Sequence, residues 1–125
     1  MNTGLILFAH GARDPRWAAP FEAVAAEVRQ QRTQTRVQLA FLEFMHPNLP
    51  EAAAQLVQQG CQQIDVLPMF LGSGGHVRQD LPKLLDQVRA NFPDVNVRLH
   101  PAIGEIASVT HAMARAASTL LGDRT

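Results

Sequence analysis

The sequence predicts a single α/β domain in which a four-stranded, mainly parallel sheet lies between two layers of helices. Two observations support this fold class. Short apolar runs alternate along the chain with longer segments whose apolar residues recur at helical spacing, an order typical of parallel sheets with right-handed crossovers. The 125 residues, of which 46% are hydrophobic, suffice for one core. We therefore predict one domain over residues 1–125.

Four segments are predicted to be strands. Each is a short apolar run, as expected for strands that a parallel sheet buries on both faces. The segments are residues 5–9, residues 37–44, residues 64–67 (a run that can be extended to residue 71) and residues 95–99.

The first two helices are predicted from their ends as well as from their apolar faces. Pro15 and Pro20 predict an irregular entry to the first helix, with regular structure from about Pro20. Asn48 can cap the second helix, Glu51 stands at its capping-box position and Gly60 can end it. The apolar faces consist of Trp17, Phe21, Val24 and Val28 in the first helix and Leu49, Ala53, Leu56 and Val57 in the second.

The last two helices are predicted mainly from periodicity. Asp80 is the expected N-cap of the third helix, because Pro82 is tolerated in a first turn. The fourth helix carries an apolar stripe that we expect to cover its own sheet. The stripes comprise Leu81, Leu84, Leu85 and Val88 in the third helix and Ile106, Val109, Met113, Ala116 and Leu120 in the fourth.

The charge and hydropathy patterns exclude several classes of partner. Eleven basic and eleven acidic residues give zero formal net charge without a basic stripe, so neither nucleic acid nor an anionic membrane surface is an expected partner. No apolar run is long enough to span a bilayer, and we expect a cytoplasmic protein. The single cysteine, Cys61, can form neither an internal disulfide nor a thiolate metal cage.

Four of the five histidines follow predicted strands. Ligands of parallel sheets bind beyond the carboxyl ends of the strands, so we expect the functional site at this rim. His10 and His76 are the main candidates, because glycines adjoin both and allow a ligand to approach the backbone closely. His46 and His100 are weaker candidates for the same rim, and His111 is predicted to be a surface or interface residue.

Other groups are predicted to lie at the same rim. Glu43 ends an apolar stretch, and we expect its carboxylate to turn into the site. Arg13, Arg16 and Arg78 flank the histidine loops and could bind ligand carboxylates. The glycine-rich loop at residues 72–75 can present backbone N–H groups to an anion, but it lacks the Lys-Ser/Thr ending of a nucleotide-binding P-loop.

Three segments carry a resemblance to a known family. They are LFAHGARDP at residues 7–15, FLE at residues 41–43 and LPMFLGSGGHVRQDLP at residues 67–82, of which the last is the most specific. In their order and spacing, over nearly the whole chain, they resemble the sirohydrochlorin cobaltochelatases, the small cobalt chelatases of cobalamin biosynthesis. Close relatives in that group insert nickel or iron into the same macrocycle.

The resemblance implies an enzyme that inserts a divalent metal ion into sirohydrochlorin, with Co²⁺ as the first choice and Ni²⁺ or Fe²⁺ as alternatives. It implies that His10 is a proton acceptor and a metal ligand and that His76 is a second metal ligand. Arg13 is a further candidate for substrate binding. No prosthetic group is expected, because the metal is a substrate. The implied tetrapyrrole contacts are Glu43, Leu71, Gly72, Ser73, Gly74 and Gly75.

A homodimer is the expected assembly. Longer chelatases that the sequence resembles carry two such units in one chain, and sites for large ligands tend to lie between domains. Two copies related by a two-fold axis would supply the second wall. The apolar faces of the third and fourth helices are the candidate contacts.

Two other functions stay open at this point. A metal or tetrapyrrole carrier could use His10 and His76 without turnover. A histidine phosphatase is the second alternative, although Ala9 stands where its phosphate-binding arginine is needed. A response-regulator domain is not supported, because the places of its acidic residues are taken by His10 and the glycine loop.

Overall fold

The computed structural model describes residues 2–72 and 74–123, apart from the side chain of His76. Four strands and four helices alternate along the chain, and a short 3₁₀ turn precedes both the first and the last helix. In order they are β1 (Thr3–Ala9), the first 3₁₀ turn (Pro15–Ala18), α1 (Ala19–Gln31), β2 (Thr35–Phe41), α2 (Leu49–Gln58), β3 (Gln63–Pro68), α3 (Gly75–Asn91), β4 (Asn96–Leu99), the second 3₁₀ turn (Ile103–Glu105) and α4 (Ala107–Leu121).

All three strand pairings are parallel, and the spatial order of the strands is β2-β1-β3-β4. β1 therefore lies inside the sheet, paired with β2 on one side and β3 on the other. In register, Phe8 lies opposite Ala40 and Pro68, and Ala9 lies opposite Phe41. The predicted fold class is confirmed.

Alternate residues of β1 point into different cores, as the two-residue period of a strand requires. Ile6 and Phe8 are fully buried in the core that α2 and α3 cover. Leu7 packs on the opposite face, where Ala25 of α1 and Val37 of β2 complete a smaller core. Helices therefore lie on both faces, which confirms the predicted three layers.

The predicted ends of α1 and α2 are confirmed. The 3₁₀ turn forms the irregular entry to α1. The Asn48 side chain accepts a hydrogen bond from the backbone N–H of Glu51 at 2.9 Å, and the Glu51 carboxylate accepts one from the N–H of Asn48 at 2.8 Å. Gly60, with φ of 92°, follows the end of α2.

Two predicted boundaries are wrong. β2 ends at Phe41 and not at residue 44, because Phe41 is the partner of the last residue of β1 and the chain turns away beyond it. α3 begins at Gly75 with Gly74 as its N-cap, so Asp80 lies inside the helix. The extra first turn buries Val77 in the core and places Pro82 in the helix interior.

α4 differs from its prediction in packing. The predicted stripe is helical, but none of the 15 residues of α4 is buried. The expectation that α4 covers its own sheet is therefore wrong for this chain on its own. Within the described part of the chain, no helix combines the length and the apolar character that a bilayer crossing requires.

Candidate active site

The candidate site lies at the carboxyl ends of β1, β2 and β3. Two backbone hydrogen bonds hold the chain beyond β2 against the chain beyond β1. The N–H of Leu42 donates to the carbonyl of Ala9 at 2.9 Å, and the N–H of Glu43 donates to the carbonyl of His10 at 3.1 Å. The backbones that carry His10 and Glu43 therefore have a fixed relation to each other.

Gly11 makes this approach possible. Its φ of 95° lies in the left-handed region, where a residue with a Cβ atom is strained. A Cβ atom at this position would also overlap the carbonyl oxygen of Glu43. Only glycine satisfies both conditions, and it brings the loop after β1 into contact with the loop after β2.

His10 and Glu43 form an open imidazole–carboxylate pair. Nε2 of His10 lies 3.7 Å from Oε1 of Glu43, and the two side chains are 46% and 43% exposed. That distance is too long for a hydrogen bond but suits an ion pair once the imidazole is protonated. The exposed ring can therefore offer a lone pair to an incoming ligand, and Glu43 can stabilise the imidazolium that proton uptake produces.

The ring of Phe70 packs against the ring of His10. The ring centroids of His10 and Phe70 are 5.9 Å apart at an interplanar angle of 75°, an edge-to-face contact. Phe70 makes a similar contact with the buried Phe8, at 6.0 Å and 80°. A chain of aromatic contacts thus connects the exposed imidazole with the core of the sheet.

Two large apolar side chains that adjoin residues of this site in the chain are exposed. Phe44 is 55% exposed and has φ of 67°, an unusual conformation for a bulky residue. Leu71 is 70% exposed and follows Phe70 directly. The Arg13 guanidinium lies 4.5 Å from the centre of the Phe44 ring, a cation–π contact. The rim therefore offers an apolar surface with one cation at its edge.

Other predicted candidates have partners of their own. Nδ1 of His46 lies 2.9 Å from the carboxylate of Glu51, at the start of α2. Nε2 of His100 lies 3.2 Å from Asp65 on β3. Arg16 pairs with Asp14 through a 2.8 Å bond.

His46, His100 and Arg16 therefore contact carboxylates other than that of Glu43. His111 lies on α4 and is exposed. The backbone N–H of Arg78 donates to Gly74 in the first turn of α3. The structure therefore brings together His10, Glu43 and, next to Phe44, Arg13 from the predicted set.

The glycine loop is described in part. Gly72, Gly74 and Gly75 are exposed, and a Cβ atom built on any of them would meet no other atom within 4 Å. Ser73 and the His76 side chain lie outside the described part, although the His76 backbone forms part of the first turn of α3. Among the described residues, no three histidine, cysteine or acidic side chains gather in a way that could hold a metal ion.

Sequence reasoning missed two residues of the rim. Phe70 lies in the motif at residues 67–82, but only the structure shows its ring against His10. In the sequence, Phe44 follows Glu43 at the end of a largely apolar segment. An apolar residue in that position normally indicates that the strand continues. Its positive φ has no signal in the sequence.

The fold and the site define a class: small parallel α/β proteins that present a solvent-exposed imidazole–carboxylate pair at the carboxyl edge of the sheet. The family model described as CbiX matches residues 4–120, nearly the whole chain. The chain belongs to the CbiX family. This finding confirms the family resemblance that the sequence motifs predict.

Individual proteins agree with the family assignment. The sirohydrochlorin cobaltochelatase of Methanocaldococcus jannaschii is 32% identical over 87 residues, a match that spans 70% of this chain and 61% of that protein. The crystal structure of a putative cobalamin biosynthesis CbiX protein from Marinobacter aquaeolei VT8 superposes with a TM-score of 0.85 at 29% identity, over 98% of this chain and 99% of the other.

A longer protein shares the fold. The sirohydrochlorin chelatase SirB from Bacillus subtilis subspecies spizizenii, solved in complex with cobalt, superposes with a TM-score of 0.76 at 23% identity. The superposition covers 95% of this chain but 51% of SirB. The chain thus spans about half the length of SirB and about three fifths of its curated relative from M. jannaschii.

Proposed function

We propose that this protein inserts a divalent metal ion, Co²⁺ as the first choice and Ni²⁺ or Fe²⁺ as alternatives, into sirohydrochlorin. The observation that carries the proposal is the exposed His10–Glu43 pair, flanked by the exposed side chains of Phe44 and Leu71. The names of the relatives in the CbiX family support the choice of ring and metal.

The chemistry of metal insertion suits this arrangement. The ring loses two pyrrole N–H protons and gains one divalent cation, so the site must deliver a metal ion and receive protons. Imidazole nitrogen is a good ligand for Co²⁺, Ni²⁺ and Fe²⁺, whereas Mg²⁺ prefers oxygen. A single lone pair on His10 cannot bind a metal and a proton together, so the two roles follow in sequence. The metal passes to the ring, the vacated nitrogen accepts one of the two displaced protons, and the other passes to solvent water.

Glu43 assists the second of these roles. The Glu43 carboxylate lies 3.7 Å from Nε2 of His10, where it can form an ion pair with the imidazolium once His10 has accepted a proton. Because both side chains are nearly half exposed, the proton can then pass to water. In the same proposal His76 is the second metal ligand, as the family resemblance implies.

Binding of the macrocycle is assigned to the apolar rim. A flat ring can lie on the exposed side chains of Phe44, which follows Glu43 in the chain, and Leu71, which follows the Phe70 that contacts His10. Arg13 stands at the edge of Phe44, where its guanidinium can bind a carboxylate on the periphery of the ring. The loop glycines at 72, 74 and 75 leave the backbone open to the same ligand.

We also propose that the active form is a homodimer. The rim is open to solvent in one copy. SirB, which is about twice as long, shares the fold of this chain over about half of its own length. A second copy of this chain would take the place of the second half.

The proposal is tested with purified protein, sirohydrochlorin and each of the three metals, followed by absorption spectroscopy. We expect multiple turnovers above the uncatalysed rate and a loss of about 10²-fold or more in His10→Ala and in His76→Ala. His111→Ala is the matched control, because His111 lies on exposed α4. Binding of one ring per site without turnover would establish the carrier alternative. Full activity in folded His10→Ala would refute the site.

A further inference from the structure

The loops that follow β3 and β4 touch each other, as do the loops that follow β1 and β2. Among the glycines that the structure describes, a Cβ atom would overlap the backbone of another loop at two positions. One is Gly11, against the carbonyl of Glu43, and the other is Gly104, against Leu71. Both glycines follow the carboxyl ends of strands, at the edge of the sheet that carries the candidate site. Glycine is thus used twice there to bring the loops of neighbouring strands together.

At Gly104 the requirement is for space and not for an unusual backbone angle. The residue is the middle one of the second 3₁₀ turn, a conformation open to other residues, and its φ is not positive. The atoms that a Cβ would overlap are the carbonyl group and the Cα of Leu71. Backbone atoms cannot rotate away as the end of a side chain can. The closeness of Leu71 therefore accounts for the glycine.

The turn that carries Gly104 has a fixed position on the sheet. The N–H of His100 donates to the carbonyl of Val66 at 2.9 Å, which continues the pairing of β3 with β4 by one residue. Ala102, two residues further on, is buried in the core that α2 and α3 cover. Inside the turn, the N–H of Glu105 donates to the carbonyl of Ala102 at 2.9 Å. The turn can therefore support a segment that packs on it.

The segment that packs on the turn consists of Phe70 and Leu71. It is held at both ends, because the N–H of Met69 donates to the carbonyl of Phe8 at 2.8 Å and the N–H of Gly104 donates to the carbonyl of Phe70 at 2.9 Å. The backbone of Leu71 lies against Gly104, whereas its side chain is 70% exposed. A large apolar side chain is thus presented to solvent from a backbone that is already fixed, and a ligand that covers it has little backbone left to order.

We propose that Gly104 is a positioning residue of the site. Its N–H fixes the backbone of Phe70, whose ring packs on the ring of His10 at a centroid distance of 5.9 Å. Its lack of a side chain lets the backbone of Leu71 come close enough to be supported by the turn. The inference rests on the proposed function, in which His10 binds the metal and Leu71 contacts the macrocycle. Gly104 touches neither of these ligands and acts through the two residues that it holds.

The first test adds one methyl group at the close approach. Gly104→Ala forces Phe70 and Leu71 away from the turn, whereas Glu105→Ala changes the exposed neighbour in the same turn. We expect Gly104→Ala to bind metal-free sirohydrochlorin about 10-fold more weakly, measured by quenching of the single tryptophan, Trp17, and to lower kcat for metal insertion by about 10-fold or more. Glu105→Ala is expected to keep wild-type values of both. Wild-type binding and turnover in folded Gly104→Ala would overturn the inference.

The second test separates positioning from a contribution to stability. The ring current of Phe70 shifts the proton resonances of the His10 imidazole, because the two rings meet edge to face. At one fixed pH, we expect these resonances to move in folded Gly104→Ala and to keep their wild-type positions in Glu105→Ala. A variant that is only less stable would give the wild-type spectrum wherever it is folded. Unchanged His10 resonances in Gly104→Ala would therefore refute the inference.

The third test uses the wild-type protein and remains decisive if Gly104→Ala does not fold. Sirohydrochlorin bound on Leu71 should slow hydrogen exchange of the Gly104 N–H, because the ring stabilises the segment to which that N–H is bonded. The control is the N–H of Gly60, which lies before the start of β3 and donates to the carbonyl of Val57 at 3.0 Å. We expect exchange to slow more at Gly104 than at Gly60, and no such difference would contradict the inference. A wild type that binds the ring without turnover would refute the proposed chelatase activity and leave this test valid.

Discussion

Replacing Gly11 with alanine tests whether the close approach of two loops builds the site. The left-handed φ of 95° costs an alanine about 1–2 kcal/mol, and relieving the overlap of its Cβ with the Glu43 carbonyl costs about 1–3 kcal/mol more. We expect the free energy of unfolding to fall by about 2–5 kcal/mol. With a urea m-value of about 2 kcal/mol/M, the unfolding midpoint falls by about 1–2.5 M.

We also expect Gly11→Ala to change the geometry of the His10–Glu43 pair. Because Glu43 must move away from residue 11, its carboxylate leaves His10, and we expect metal insertion to fall in protein that near-ultraviolet circular dichroism shows to be folded. Gly74→Ala is the matched control for stability alone, since a Cβ atom there meets no other atom within 4 Å and the backbone φ is −77°. Its activity is no control, because Gly74 belongs to the loop that we assign to the macrocycle. Wild-type stability and activity in Gly11→Ala would refute the reasoning about the two loops.

Two further substitutions test electrostatics and capping. Burial opposes ionisation of Asp65, but hydrogen bonds from Arg98, His100 and Gln63 outweigh it and hold the pKa of this carboxyl below its usual value. The folded state therefore binds the proton less readily than the unfolded state, and the carboxylate stabilises the fold above about pH 4, an effect lost as the pH falls through the folded pKa. By urea unfolding at pH 7, we expect the free energy of unfolding of Asp65→Asn to be about 1 kcal/mol lower than that of wild type. This difference should narrow in acid, and a difference that widens in acid would contradict the reasoning. Asn48→Ala removes the α2 cap and is expected to lower the free energy of unfolding by about 1 kcal/mol. In calorimetry this corresponds to a melting temperature lower by about 2–6 °C. An unchanged melting temperature would show that the cap contributes nothing.

Features encoded by neighbouring residues were predicted correctly. Asn48, Glu51 and Gly60 define the ends of α2, and their interactions reach no more than four residues along the chain. The rim position of His10 and Glu43 also follows from the sequence, because the parallel order of the strands brings their carboxyl ends to one edge.

Features that depend on distant parts of the chain were missed. The end of β2 is set by the length of β1, its partner, and the start of α3 by the burial of Val77 in a core that α2 completes. The apolar stripe of α4 has the pattern of a helix that covers a sheet, but the pattern does not say which sheet. The positive φ of Phe44 depends on the turn that leaves β2, which an apolar run does not reveal.

The central position of β1 has a consequence for how the chain folds. Its pairing with β3 joins Thr3 to Gln63, whereas its pairing with β2 joins Thr3 to Thr35. Contacts across such long sequence separations form slowly, because the intervening chain must be closed into a loop before the contacts stabilise it. During synthesis, one edge of the most apolar strand stays without a partner until β3 has emerged. The period of greatest risk for aggregation is therefore the interval between the synthesis of β1 and that of β3.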